Sequence, residues 1–132
     1  MITFNLQNGF KIIAPREPDV EVNLNVRCIG KPRPRFARGR IVYSDPKYTA
    51  FYNRLTLLLL ENNPMIRTPL DGQWMFYADC FYHNATISDQ DNVAKALMDV
   101  IWKQDKQVSG WVERHVRRNQ PDALCLKLWR IK

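Results

Sequence analysis

The sequence predicts an α+β fold, a mixed or antiparallel sheet with two main helices packed on one face, from three observations. Residues 20–28, VEVNLNVRC, alternate strictly between apolar and polar. Two later segments repeat apolar residues at intervals of three and four, and an aromatic run, WMFYADCFY at 74–82, stands between them. Strands and helices in that order, over 132 residues, fit one domain around one core.

Residues 1–19 carry no strong pattern, except that TFNLQNGFKII suits a hairpin through Asn8-Gly9. They read as an N-terminal extension to a domain spanning 20–132. Val20, Val22, Leu24, Val26 and Cys28 form the apolar face of a half-buried strand. Asp45 and Pro46 supply an N-cap and a first-turn proline. Tyr48, Phe51, Tyr52, Leu55, Leu58 and Leu59 then recur at helical spacing, so a helix should run to about Asn62, before Pro64. The aromatic run reads as a central strand. Asp89 or Ser88 caps a second helix whose core face is Val93, Ala96, Leu97, Val100 and Ile101. Residues 108–116 and 124–131 read as a closing antiparallel pair, joined by the turn-like RRNQPD.

Composition narrows the function. Twenty Lys and Arg against thirteen Asp and Glu leave a net charge of +7, which favours a polyanionic partner. Five of the positive charges fall in KPRPRFARGR, residues 31–40, with no negative charge among them, and residues 111–132 carry six positives against two negatives. No stretch reaches the roughly 20 apolar residues of a membrane span, and the N-terminus lacks a secretory pattern, so the cytoplasm is expected. Cys28, Cys80 and Cys125 are widely spaced and without a CxxC pair. They read as small buried hydrophobes, not as a disulfide framework or zinc site.

The stretch richest in chemistry is SDQDNVAKALMDVIWKQDKQV, residues 88–108. Helical projection puts Asp91, Lys95 and Asp99 along one stripe, nearly opposite the core face, with Asp89 at the helix entrance. Spacing alone leaves Asp105 near either end of that helix. Carboxylates beside a lysine in a basic protein suit Mg²⁺ and phosphodiester cleavage, because hard oxygen ligands hold a cation that also accepts phosphate oxygens. The same residues also suit a capped helix with an ordinary Asp91–Lys95 ion pair on a solvated face. Projection places Met98 and Trp102 on the outward side too, where apolar groups call for a partner subunit or a nucleic-acid surface.

Asp89-Gln90-Asp91-Asn92, then Lys95-Ala96-Leu97 and Asp99, then Asp105-Lys106-Gln107-Val108 resemble the D-x-D-N-x-x-K-A-x-x-D … D-D-x-Q-V signature of the RusA family of Holliday-junction resolvases. Lys31 to Arg35, Gly39-Arg40 and Tyr43 are similar to that family's Pro/Arg-rich segment. The resemblance covers about residues 20–130. It implies a homodimeric, Mg²⁺-dependent endonuclease of a bacterial or phage-infected cell, making paired nicks in four-way DNA junctions; by ligand hardness Mn²⁺ is an alternative metal.

Carried over by position, Asp89, Asp91 and Asp105 would hold the metal and Lys95 would contact the scissile phosphate. Asn92 and Asp99 would support the site. Lys31, Arg33, Arg35, Arg38 and Arg40 would grip phosphates, with Arg114, Arg117 and Arg118 as further contacts. Where the family has two adjacent aspartates this sequence has Gln104-Asp105, and only five residues separate Asp99 from Asp105. His83 ends the strand leading to Asp89, and Phe36 is the aromatic suited to wedging into a junction centre. Two other readings are a branched-DNA-binding protein without cleavage and a nuclease for flaps or forks.

Overall fold

The computed structural model describes residues 2–5, 11–14, 16–32, 35–37, 40–42, 45–64 and 66–131. Ile2–Asn5 (β1) and Lys11–Ala14 (β2) pair antiparallel, with Ile2 opposite Ala14 and Asn5 opposite Lys11, one residue out of the register that a two-residue Asn8-Gly9 turn would set; the connecting residues lie outside the described ones. A second short ribbon, Arg35–Ala37 (β4) with Arg40–Val42 (β5), falls within the basic segment.

The main sheet has four strands. Val20–Leu24 (β3), Trp74–Tyr82 (β6), Val108–Val116 (β7) and Ala123–Arg130 (β8) lie in the order β3-β8-β6-β7. The helices are Pro46–Asn62 (α1) and Gln90–Ile101 (α2). The fold class is the α+β arrangement expected, but its connectivity corrects one expectation: β7 and β8 are not partners. β7 runs parallel to β6, and β8 sits between β6 and β3, antiparallel to both. The cause is α2. A helix that returns the chain to the starting end of β6 obliges the next strand to run parallel with it. The turn after β7, where Asn119 adopts φ 64° and Arg117 N–H donates to the Tyr82 carbonyl at 2.8 Å, then carries the chain over the end of β6 to its other side.

Alternation along β6 sends Trp74, Phe76, Ala78, Cys80 and Tyr82 to the face that the helices cover, all buried. They meet Phe51, Leu55 and Leu59 of α1 and Val93, Ala96, Leu97, Val100 and Ile101 of α2. Burying each of the larger aliphatic side chains stabilises the fold by about 1.5–3 kcal/mol. Cys28 and Cys80 are buried in this core and Cys125 is half-buried, all three as free thiols. At Gly110, opposite Phe76, a Cβ would stand 2.2 Å from the Phe76 ring, so only glycine lets that ring lie flat across β7. The other sheet face carries a smaller cluster of Tyr77 and Trp129 under Ala14. Among the described residues no helix is long and apolar enough to cross a membrane.

Candidate active site

The signature residues gather where α2 begins. Asp89 is the N-cap: its Oδ1 accepts from the Asp91 N–H at 2.9 Å and the Asn92 N–H at 3.4 Å. Two of the donors a helix start leaves unpaired are thereby satisfied. Asp89, Asp91 and Lys95 are all exposed. Asp91 and Lys95 form no ion pair with each other or with any other described residue. The ordinary i,i+4 pair is therefore not made, and both charges are left exposed without an ion partner among the described residues. Two carboxylates at one helix entrance, one with an oxygen beyond its capping bonds, are a hard-oxygen donor set of the kind Mg²⁺ takes, completed by water and phosphate.

Three clamps fix this helix entrance. Arg114 of β7 donates to the Ser88 carbonyl at 2.9 Å, and the Gln90 side-chain amide donates to the Val112 carbonyl. Arg27 donates to the Thr86 carbonyl and pairs with Asp122 at 3.2 Å. From the other side, the segment after β3 crosses the first turn of α2. Tyr82 hydroxyl holds the Cys28 carbonyl at 2.8 Å, and Lys31 N–H donates to the Asn92 carbonyl at 2.9 Å. Gly30 lies so close that a Cβ would be 2.9 Å from Asn92 Cβ. The root of the basic segment is thus stapled to the turn that bears Asp89 and Asp91.

Asp99, one helical stripe further along, faces this same root. It accepts from the Tyr48 hydroxyl at 2.5 Å and pairs with Lys31 at 3.4 Å. Burial first, and then the hydrogen bond to Asp99, push the Tyr48 phenol well above its ordinary value. Asp99 thereby joins α1, α2 and the basic root.

Asp105 lies elsewhere. It opens a single 3-10 turn, Asp105–Gln107, immediately before β7, at the end of the sheet where α2 finishes. The Gln107 amide donates to the Leu70 and Gly72 carbonyls at 3.1 and 3.0 Å, and its oxygen accepts from Gln104 N–H at 3.0 Å. Asp91 and Asp105 therefore stand toward opposite ends of α2, which rises about 15 Å between Asp91 and Ile101 at 1.5 Å per residue. Among the described residues no three acidic, histidine or cysteine side chains converge on one point.

The expectation for Trp102 is corrected. α2 ends at Ile101, so helical projection no longer applies. Trp102 is extended, only 2% exposed and stacked on Phe76 at 5.7 Å between ring centroids. Met98 is half-buried against the main core. His83 turns to Asp122, at 2.9 Å, and Asn84. Arg117 lies over the Phe81 ring at 3.9 Å, and Arg118 is exposed in the turn after β7. Of the basic segment, Lys31 is described fully and Arg35, Phe36 and Arg40 by backbone alone. Arg33, Arg38, Gly39 and Tyr43 lie outside the described residues. The anchoring roles of Arg114, Gln90 and Gln107 were not legible in the sequence, since a side chain bonded to a distant carbonyl leaves no periodic trace.

No curated protein matches the chain closely enough to name a relative. The family model for endodeoxyribonuclease RusA matches residues 25–124, a span that takes in every residue of the helix entrance, its clamps and Asp105. The chain therefore belongs to the RusA endodeoxyribonuclease family of Holliday-junction resolving enzymes.

Proposed function

We propose that the protein is a Mg²⁺-dependent endonuclease that resolves four-way DNA junctions by paired, symmetric nicks, acting as a homodimer. The observation that carries this reading is the exposed pair Asp89 and Asp91 on the same helix as the exposed Lys95, none of the three in an ion pair with a described residue, with the basic root Gly30-Lys31 stapled against the same helical turn. Carboxylates that face a bound DNA phosphate repel it unless a cation lies between them.

Asp89 and Asp91 would hold the divalent ion, which supplies charge neutralisation at the phosphate and lowers the pKa of attacking water. Lys95, one turn beyond Asp91, reaches the scissile phosphate and offsets the charge that builds there. Asn92 and Asp99 keep the basic root in register with the turn. Lys31 and the arginines after it neutralise backbone phosphates on either side of the cut. Asp105 stands too far from Asp91 to serve the same site within one chain, so it completes the site of a second protomer across a two-fold axis. That arrangement matches the approximate symmetry of a four-way junction. Mn²⁺ has the same preference for oxygen ligands and should also support cleavage.

The test is a labelled four-way junction incubated with the protein and Mg²⁺. Symmetric nicks are expected, and Asp91→Asn should abolish them while junction binding survives. Tight binding without nicking under any divalent ion would favour a non-cleaving junction binder. Flap and fork substrates run alongside show whether four-way junctions are preferred.

A further inference from the structure

A second feature beside the basic root has no part in the chemistry above. Residues 25–29 and the first half of α1 enclose an open cleft of about 510 Å³ whose floor is Val26, Ile29, Ala50 and Phe51. Lys47 and Arg54 stand on its α1 side, seven positions apart, so they share one face of the helix about 10 Å apart along its axis. Neither is in an ion pair with a described residue. Arg27 and Asp122 also line the cleft but neutralise each other at 3.2 Å. The lining therefore keeps two uncompensated positive charges over an apolar floor.

That combination has a specific chemistry. Unpaired cations spaced along a groove track a phosphodiester backbone, while an apolar floor accepts the face of an unstacked base. The cleft also adjoins the candidate active site along the chain. Ile29 lines it, and the next residue, Gly30, presses on Asn92 in the first turn of α2.

We propose that this cleft binds a single DNA strand leaving the junction centre, with Lys47 and Arg54 on two phosphates of that strand and one base resting on the Ile29, Ala50 and Phe51 floor. The proposal rests on the junction-nuclease reading and adds to it a strand-holding groove that would keep the opened centre from re-pairing next to the cut.

The charge half is tested with Lys47→Glu/Arg54→Glu. Junction binding is measured by fluorescence anisotropy over a range of NaCl concentrations, with circular dichroism to verify folding. Affinity should fall at least about tenfold, and the slope of log K against log salt should shrink by about 1.5. Lys47→Gln/Arg54→Gln provides the same slope comparison should the Glu pair disturb the helix. The floor is tested with Ala50→Trp, which fills the cleft and keeps both charges. Affinity for a short oligo-dT strand should drop about fivefold or more, while a duplex of equal length is held as before. An unchanged salt slope in both charge pairs overturns the site. A loss confined to duplex with Ala50→Trp overturns the single-strand assignment. A wild-type protein that binds junctions but never cuts them removes the nuclease reading, while the slope comparison still decides the cleft.

Discussion

Asp89 has two roles that one pair of substitutions separates. As the N-cap it receives two backbone N–H groups through Oδ1, and as a carboxylate it offers charge to a cation. Asparagine caps helices about as well as aspartate, so Asp89→Asn preserves the hydrogen bonds and loses only the interaction of the charge with the helix dipole, about 0.3–1 kcal/mol. Asp89→Ala loses the cap as well, for a combined cost of about 1–3 kcal/mol. For a domain of this size, with about 3–5 °C of Tm per kcal/mol, Asn should lower Tm by no more than about 5 °C and Ala by up to about 15 °C. Junction cleavage should not follow that order. Both variants should lose about a hundredfold or more in nicking rate, although Asn is nearly as stable as wild type. Thermal melts followed by circular dichroism and single-turnover nicking at saturating enzyme report the two quantities. Wild-type cleavage by Asp89→Asn would remove Asp89 from the chemistry, and a wild-type melt for Asp89→Ala would refute the cap.

Mixing Asp91→Asn with Asp105→Asn protein should restore nicking, because a mixed dimer with sites shared between protomers retains one intact set of carboxylates; no recovery after subunit exchange would place all three within one chain. Gly110→Ala should destabilise by about 1–3 kcal/mol in urea titrations through collision with Phe76, and adding Phe76→Leu should recover part of the loss; a neutral Gly110→Ala would contradict the close packing. Tyr48→Phe leaves Asp99, among the described residues, bonded only to Lys31 and should cost about 1–3 kcal/mol, read from the same titration. At Asp122, burial alone would raise the carboxyl, but hydrogen bonds from His83 and the nearby Arg27 outweigh it and hold the group below its ordinary value. Its stabilising effect is therefore complete above about pH 4 and is lost as the pH falls through the lower folded value. The stability gap between wild type and Asp122→Asn should narrow on acidification below about pH 4, and a gap that stays constant would rule out the ionised pairing.

The local parts of the fold were legible because their signals are local. Asp45 and Pro46 start α1, Asp89 starts α2, and the five apolar residues read from the α2 pattern are the five that are buried. The strand order was not legible. Residues 108–116 and 124–131 have the look of a hairpin, and what separates them in space is the crossover direction of α2, together with the preference of Leu124, Leu126 and Leu128 for a central position between two strands. Projection failed at Trp102 for a related reason, because the 3.6-residue period holds only while the helix lasts. At the site, the first-turn carboxylates followed from capping logic. The distant position of Asp105 did not, since it depends on where β7 begins.

The anchoring of Gln107 has a consequence for how this region tolerates length change. Its side chain grips the Leu70 and Gly72 carbonyls, and a parallel bridge joins Leu70 to Trp102. The location of Asp105 is thus indexed to the 70–72 strap and the start of β7, not to the number of residues that follow α2. Insertions at Lys103 should bulge into solvent at a small entropic cost and leave the aspartate where it is. Lengthening this short connector would accordingly add slack without displacing the acidic group it leads to.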